Sequence, residues 1–391
     1  MIMVFTVGSI IAVQLANNNQ WTGVPSTLVL VGAALVAYPV GRLMDWGGRR
    51  IGLSLGHIFG VTGAIIAGWA VVQESLLIFL LGIFFIGLAK GVIDLGRYAA
   101  AEATPPSRRA RAISLVVLGG TVGSITGPSL LEFTGNLATR LELPALSGPW
   151  LGAGFFYLLA LLIVNLFLRP DPQLIGRQLA ALEPSRTAEA ERVRPFREIF
   201  SNPQAKLAIG ALIFGQLTMV LLMTVTPVHM HDHHHQISAI SWVIMAHTLG
   251  MFGFSVVTGW LVDKLGRDKM ILIGGLVLIL ACLTAPLSVE LPGLIVALFL
   301  LGLGWNFCFV AGSTLLADIL RNQEKGRAQG LVDTLINVTS AVGSLSSGLA
   351  LTGLGFISMS LGTVLVAGLP IMLVLLFGAA RRKVSLEGTI S

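Results

Sequence analysis

The sequence predicts an all-α membrane protein of twelve spanning helices in two pseudo-symmetric six-helix bundles, and three observations carry that expectation. Of 391 residues, 54% are hydrophobic and only 11% charged, against about 25% charged in an ordinary soluble domain. The apolar residues fall in blocks of about 20, the length that crosses a hydrocarbon core at 1.5 Å per residue. A short charged loop sequence also occurs twice, once in each half of the chain. Nothing in lipid satisfies a free backbone group, so the blocks must be helices. Their near-continuous hydrophobicity lacks the alternation of a membrane barrel.

Twelve blocks are drawn at 1–16, 22–43, 51–72, 76–100, 112–133, 150–168, 204–228, 238–262, 270–289, 293–317, 328–351 and 354–378. Block 1 is short for a span and uncharged, with no basic n-region or small-residue cleavage site, so it is read as the outer part of a truncated or short first helix and not as a signal peptide. Trp21, Trp46, Trp69, Trp150, Trp242 and Trp260 fall near block ends, where an amphipathic indole prefers to sit. Trp305 alone falls mid-block.

Residues 169–203 hold six Arg and five acidic residues, interrupted by Pro170, Pro172, Pro184 and Pro195. They read as a solvated linker with a short surface helix around Thr187 to Phe200; the alternative is a docking or regulatory segment. The expected organisation is a first bundle at 1–168, the linker at 169–203, a second bundle at 204–378 and a tail at 379–391.

The net charge is +6 and the pI about 9.7, but the distribution decides its meaning. One consistent topology places every Lys and Arg except Lys90, Arg97 and Arg140 on the cytoplasmic side. The basic balance therefore reports orientation, with both termini and the linker cytoplasmic in a cell inner membrane, and it predicts no nucleic-acid partner. The two cysteines, Cys282 and Cys308, both sit in apolar blocks and offer no disulfide framework or CxxC site.

GRLMDWGGRR (Gly41–Arg50) is echoed by GWLVDKLGRDK (Gly259–Lys269), aligning Asp45 with Asp263, Gly48 with Gly266 and Arg49 with Arg267. The same offset carries Arg109 in EATPPSRRARA onto Arg327 in DILRNQEKGRAQG. A repeat with an even helix count implies two parallel bundles about an axis normal to the membrane. These loops resemble the G-x-L-x-D-x-x-G-R-[RK] signature that major facilitator transporters carry after helix 2 and again after helix 8. The resemblance covers the chain from block 2 onward.

A carboxylate at the C-terminal end of its own helix is badly placed for that helix's dipole, so Asp45 and Asp263 should seek a cation or another helix's N-terminus. Gly41 and Gly259 permit close approach, and Arg49, Arg50 and Arg267 are the nearby cations. The resemblance implies a network that latches the cytoplasmic gate; the plainer reading is anchoring by loop charge. On block 5, Gly123 to Pro128 reads GSITGP, with Gly127 before the proline. It resembles part of the family's antiporter motif, whose trailing glycines are replaced here by Leu131 and Glu132. Export is implied; a generic packing face is the alternative.

Lys90, Asp94 and Arg97 are spaced i, i+4, i+7 and share one face of block 4. Charges at that depth should face a bundle interior or water cavity. Asp94 either carries a proton between Lys90 and Arg97 or completes a self-neutralising brace. Ile83 stands where related drug transporters often have an Arg. In the second half, Gln216, His247, Trp305 and Asn306 are candidate substrate or coupling residues, with Asn337 also deep in its block; Asp333 lies nearer the cytoplasmic end and suits a gate contact. His247 is read either as a site residue or as a hydrogen-bonded interhelical residue.

The outer loop HMHDHHHQ brings His229, His231, Asp232, His233, His234 and His235 within seven positions. Such residues are good ligands for zinc, nickel or copper, and a polar loop cap is the alternative. No cofactor and no enzyme constellation is expected, and no Walker-type loop is present for direct use of ATP. The expected function is a monomeric secondary transporter of an unidentified small molecule, coupled to protons and exporting. One alternative is a transition-metal or metal-chelate carrier; another is a transport-inactive assembly factor or receptor. A cysteine introduced at Ser185 in the linker is expected to react with a membrane-impermeant thiol reagent only in inverted vesicles. Strong labelling in intact cells reverses the topology.

Overall fold

The computed structural model describes residues 2–18, 21, 23–181, 194–235, 237–287, 289–321 and 323–378. Every one of the twelve blocks is occupied by helix. They are α1 (Ile2–Ala16), α2 (Val24–Gly47), α3 (Arg49–Val72), α4 (Leu76–Asp94), α5 (Arg109–Arg140), α6 (Gly148–Phe167) and α7 (Pro203–Asp232). Then come α8 (Ile237–Thr248 and Ser255–Leu265, joined by a π turn at Leu249–Gly253), α9 (Arg267–Thr284) and α10 (Leu291–Ile319). Non-helical backbone at Gly355 (φ 75°) divides the last long stretch into α11 (325–354) and α12 (356–373). Among the described residues eight helices are long and apolar enough to cross a membrane, nine with α8 counted as one bent span, and there is no strand.

Local chemistry explains the ends. Pro occupies the first turn of α2, α6 and α10, where its missing N–H costs nothing. Gly48 and Gly266 stop α2 and α8 at φ of 91° and 95°, a conformation that a side chain strains, and α3 and α9 begin at the next residue.

Two departures from uniform spans bear on function. Block 4 is not one helix: α4 ends at Asp94, and a short helix Gly96–Glu102 follows Leu95. Block 8 bends by 41° beside the π turn. Of the linker's expected surface helix, only Phe196–Ser201 falls among the described residues, with a further short helix at Pro172–Ala181; residues 182–193, including Ser185, and the tail 379–391 lie outside them.

By contact the chain divides into two compact units that cut across the covalent halves. The first is Met1–Ala99, Val122–Glu191 and Asn322–Val338, so it includes the start of α11. The second is Ala100–Thr121, Arg192–Arg321 and Thr339–Ser391, so it includes the start of α5. Each covalent half thus lends one helix start to the unit built on the other.

Within the first unit, Val29, Ala64, Ala67, Phe79, Ile83 and Ile86 form a fully buried core, and Gly32 and Gly87 bring α2 and α4 into backbone contact. In the second, α8 and α10 meet at Gly250 and Gly302 with as little room. Phe155, Phe167 and Leu365 are exposed, the arrangement of helices that face lipid. Trp46, Trp69, Trp242 and Trp260 are exposed near helix ends as expected for interfacial indoles, whereas Trp150 is buried and packs edge-on against Phe79. Gly302→Val is expected to destabilise the protein by about 1–3 kcal/mol through overpacking, because its Cβ would strike the His247 carbonyl. Gly362→Ala, with no neighbour near its Cβ position, should leave the unfolding midpoint in detergent unchanged or raised.

Candidate functional site

Asp45 stands in the last turn of α2, where its charge opposes that helix's own dipole. Its carboxylate instead accepts from the main-chain N–H groups of Gly326 (2.6 Å) and Arg327 (2.8 Å), the second and third residues of α11. The fit requires Gly41 and Gly326, whose backbones are so close that a Cβ on either would strike the other's carbonyl. Asp263 repeats the contact in the second unit: near the end of α8, it accepts from Ala110 (3.3 Å) and Arg111 (3.2 Å), the second and third residues of α5. Gly259 leaves the space that Ser114 and the Ala110 carbonyl fill. Charged caps of this kind contribute about 1–2 kcal/mol each.

The arginines of the loop sequence stand further from the carboxylates. Arg49 lies 3.7 Å from Asp45 and Arg267 3.8 Å from Asp263, beyond hydrogen-bond range. Arg267 binds Asp318 (3.0 Å) and the Pro106 carbonyl (2.9 Å), and Arg109 also reaches Asp318 (2.7 Å). Asp318 carried no role in the sequence reading, although it opens the repeated loop after block 10. Arg50 gives its main-chain N–H to Asp171.

The three charges of block 4 do not form one triad. Lys90 and Asp94 pair at 2.5 Å while remaining 24% and 38% exposed. Arg97, beyond the break at Leu95, donates to the Asp94 main-chain carbonyl but places both terminal nitrogens on Asp333 of α11, at 3.0 and 2.5 Å. That pair is sealed, at 4% and 3% exposure. The i, i+7 spacing did place Lys90 and Arg97 on nearby turns; the helix break and a carboxylate more than 200 residues away in sequence decided the pairing. Asn337 donates back to the Asp333 carbonyl. Ile83 is fully buried in the apolar core.

In the second unit, Trp305 donates its indole N–H to Gln216 (2.7 Å), and Gln216 donates to Ser340 (3.0 Å). The indole stacks on Phe309 at 4.6 Å and meets Phe252, in the π turn, edge-on at 6.0 Å. Asn306 donates to the Met251 carbonyl (2.6 Å) and to Ser255 (3.0 Å), on opposite sides of the bend in α8. His247 is buried with Nδ1 at 3.0 Å from the Leu298 carbonyl, an interhelical hydrogen bond from α8 to α10.

Two other groups of predicted residues are less engaged. Gly123 has no described atom within 4 Å of its Cβ position; Gly127 lies in α5, and the Pro128 side chain is outside the described set. Of the outer histidines, His229 stacks on Phe356 at 3.9 Å, His233 turns to the His229 carbonyl and His235 to the Val289 carbonyl. His234 is exposed, and the side chains of His231 and Asp232 lie outside the described residues. Among the described residues no three His, Cys, Asp or Glu side chains converge on a metal position.

The sequence pattern of the Major Facilitator Superfamily matches residues 1–236 and again 207–389. The chain belongs to this superfamily. It is therefore a multi-pass membrane transport protein and not an enzyme, a secondary transporter of small molecules. Among similar proteins, the uncharacterized MFS-type transporter YdeG of Bacillus subtilis is 35% identical over 91% of this chain and 83% of its own length. The riboflavin transporter RfnT of Brucella anthropi is 29% identical over 90% of this chain and 86% of its own. The proton:xylose symporter XylE superposes with a TM-score of 0.75 at 15% identity, over 95% of this chain and 90% of that one, a likeness of fold.

Asp333→Asn is expected to cost about 3–5 kcal/mol, because it leaves the Arg97 guanidinium buried without its counter-charge. Arg97→Met combined with Asp333→Leu should restore most of that stability, as read by thermal unfolding of the purified protein. A single Asp333→Asn variant as stable as the parent contradicts the buried pairing.

Proposed function

We propose that this transporter works by alternating access, coupled to protons at Lys90 and Asp94, and exports a planar organic solute. The observation that carries the proposal is the contrast between two neighbouring ion pairs. Arg97–Asp333 is sealed, whereas Lys90–Asp94 sits in an apolar helix yet stays 24% and 38% exposed. An ion pair held at such depth is costly to maintain. Protonating Asp94 frees the Lys90 ammonium, so a proton on one group changes the charge that an arriving solute meets. Asp45 and Asp263 act as the two halves of a latch on the side read as cytoplasmic, made of contacts to main-chain N–H groups that break without unfolding either helix.

The solute class follows from Trp305, Phe309 and Phe252, which present π faces and edges beside the Gln216 amide; aromatic faces bind planar rings by stacking. RfnT transports riboflavin, a tricyclic aromatic solute, and is 29% identical over nine-tenths of this chain. Export follows from the block 5 resemblance. The outer histidines are left out of the mechanism, because the rings of His229, His233 and His235 each engage a different partner.

The test is flux of riboflavin and related flavins in proteoliposomes under an imposed pH gradient. Lys90→Ala and Asp94→Asn are each expected to lower gradient-driven flux by about a hundredfold while the protein elutes as a single species, since two half-exposed side chains contribute little packing. Flux that survives both substitutions removes the coupling role, and flux indifferent to the gradient removes proton coupling altogether.

A further inference from the structure

We propose that Asp171 and Gln173, at the start of the linker, are positioning residues that hold the first copy of the loop sequence in shape for its latch. This rests on the reading of Asp45 as a latch.

The Asp171 carboxylate accepts from the main-chain N–H groups of Arg49 (3.1 Å) and Arg50 (2.9 Å), the first two residues of α3, and from Gln173 N–H (2.9 Å). The buried Gln173 amide then donates to the carbonyl of Asp45 at 2.8 Å and reaches that of Met44 at 3.5 Å, both in the last turn of α2. One short segment thereby satisfies N–H groups that open α3 and the Asp45 carbonyl near the end of α2, while the Met44 carbonyl already accepts from the Gly48 N–H at 3.1 Å. Gly48 lies between them. Its φ of 91° favours glycine, and a Cβ there would also meet the Asp171 carboxylate at 2.6 Å. The loop sequence is thus clamped from outside, and the residue clamped through its carbonyl is Asp45 itself, whose carboxylate caps α11.

At the second copy, the segment that follows Gly378 lies outside the described residues. Gly266 has the same backbone conformation, at φ 95°, yet no described atom lies within 4 Å of its Cβ position. The Asp263 contacts to α5 are also longer, at 3.3 and 3.2 Å against 2.6 and 2.8 Å for Asp45. The clasp acts on the first copy, through the segment that opens the linker. A carboxylate shared by three N–H donors holds its place more firmly than a neutral side chain would.

The experiment uses the full-length protein with a single probe, Thr334→Cys, whose native hydroxyl bonds the Ala34 carbonyl of α2; Cys282 and Cys308 are buried. The rate at which N-ethylmaleimide modifies this cysteine reads opening between α2 and α11. Asp45→Asn is expected to raise that rate about tenfold, and Asp171→Asn and Gln173→Leu each to raise it severalfold, with a folded, single-species elution profile. Combined with Asp45→Asn, neither clasp variant should add more. Combined with Asp263→Asn, each should act independently. If Asp45→Asn raises the rate and both clasp variants leave it unchanged, or if they add fully to Asp45→Asn, the clasp is overturned and the latch stands. If Asp45→Asn itself has no effect, the latch reading falls and the clasp with it. Should Asp171→Asn fail to fold, Gln173→Leu decides by the same criteria.

Discussion

A carboxylate at the C-terminal end of its own helix is repelled by the carbonyls around it, and the organisation of one end of each unit follows from where Asp45 and Asp263 find relief. Both find it on the second and third N–H groups of a helix that comes from the other half of the sequence. The arginines of the loop sequence, about 3.7–3.8 Å away, stabilise the carboxylates by their positive charge without forming a hydrogen bond. Small residues are obligatory wherever this geometry brings backbones together, and Gly41, Gly326 and Gly259 each occupy a place that a methyl group would fill with a clash.

The helical membrane fold was legible because lipid removes most alternatives: apolar blocks of spanning length select helices. The loop carboxylates were legible because their defect is local, a wrong-sign charge at a helix end that any reader of helix dipoles detects. The pairing of Arg97 was not, since its partner Asp333 is remote in sequence and the break at Leu95 redirects the side chain. Asp171 and Gln173 escaped for another reason. A charged, proline-rich linker has the composition of a solvated segment, and nothing in its own residues reveals that main-chain groups of α2 and α3 await it.

Polar residues deep in the second unit serve backbone needs more than their depth alone implied. Asn306 bonds to both sides of the bend in α8, and His247 ties α8 to a carbonyl of α10 just where Gly250 and Gly302 bring the two helices into contact. A helix that bends in lipid exposes carbonyls, and Asn306 supplies a donor to that of Met251. Trp305 with Gln216 and Lys90 with Asp94, by contrast, are joined side chain to side chain.

The sealed pair of Arg97 and Asp333 has a kinetic corollary. Pulling apart two full charges in a dry, low-dielectric setting meets an energy far above thermal agitation, whereas the same separation in water is nearly free. The start of α11 is therefore tied to the short helix Gly96–Glu102 by a contact that does not loosen by small degrees. Separating the pair is far less costly once water reaches the two charges, so hydration and motion are coupled at this place.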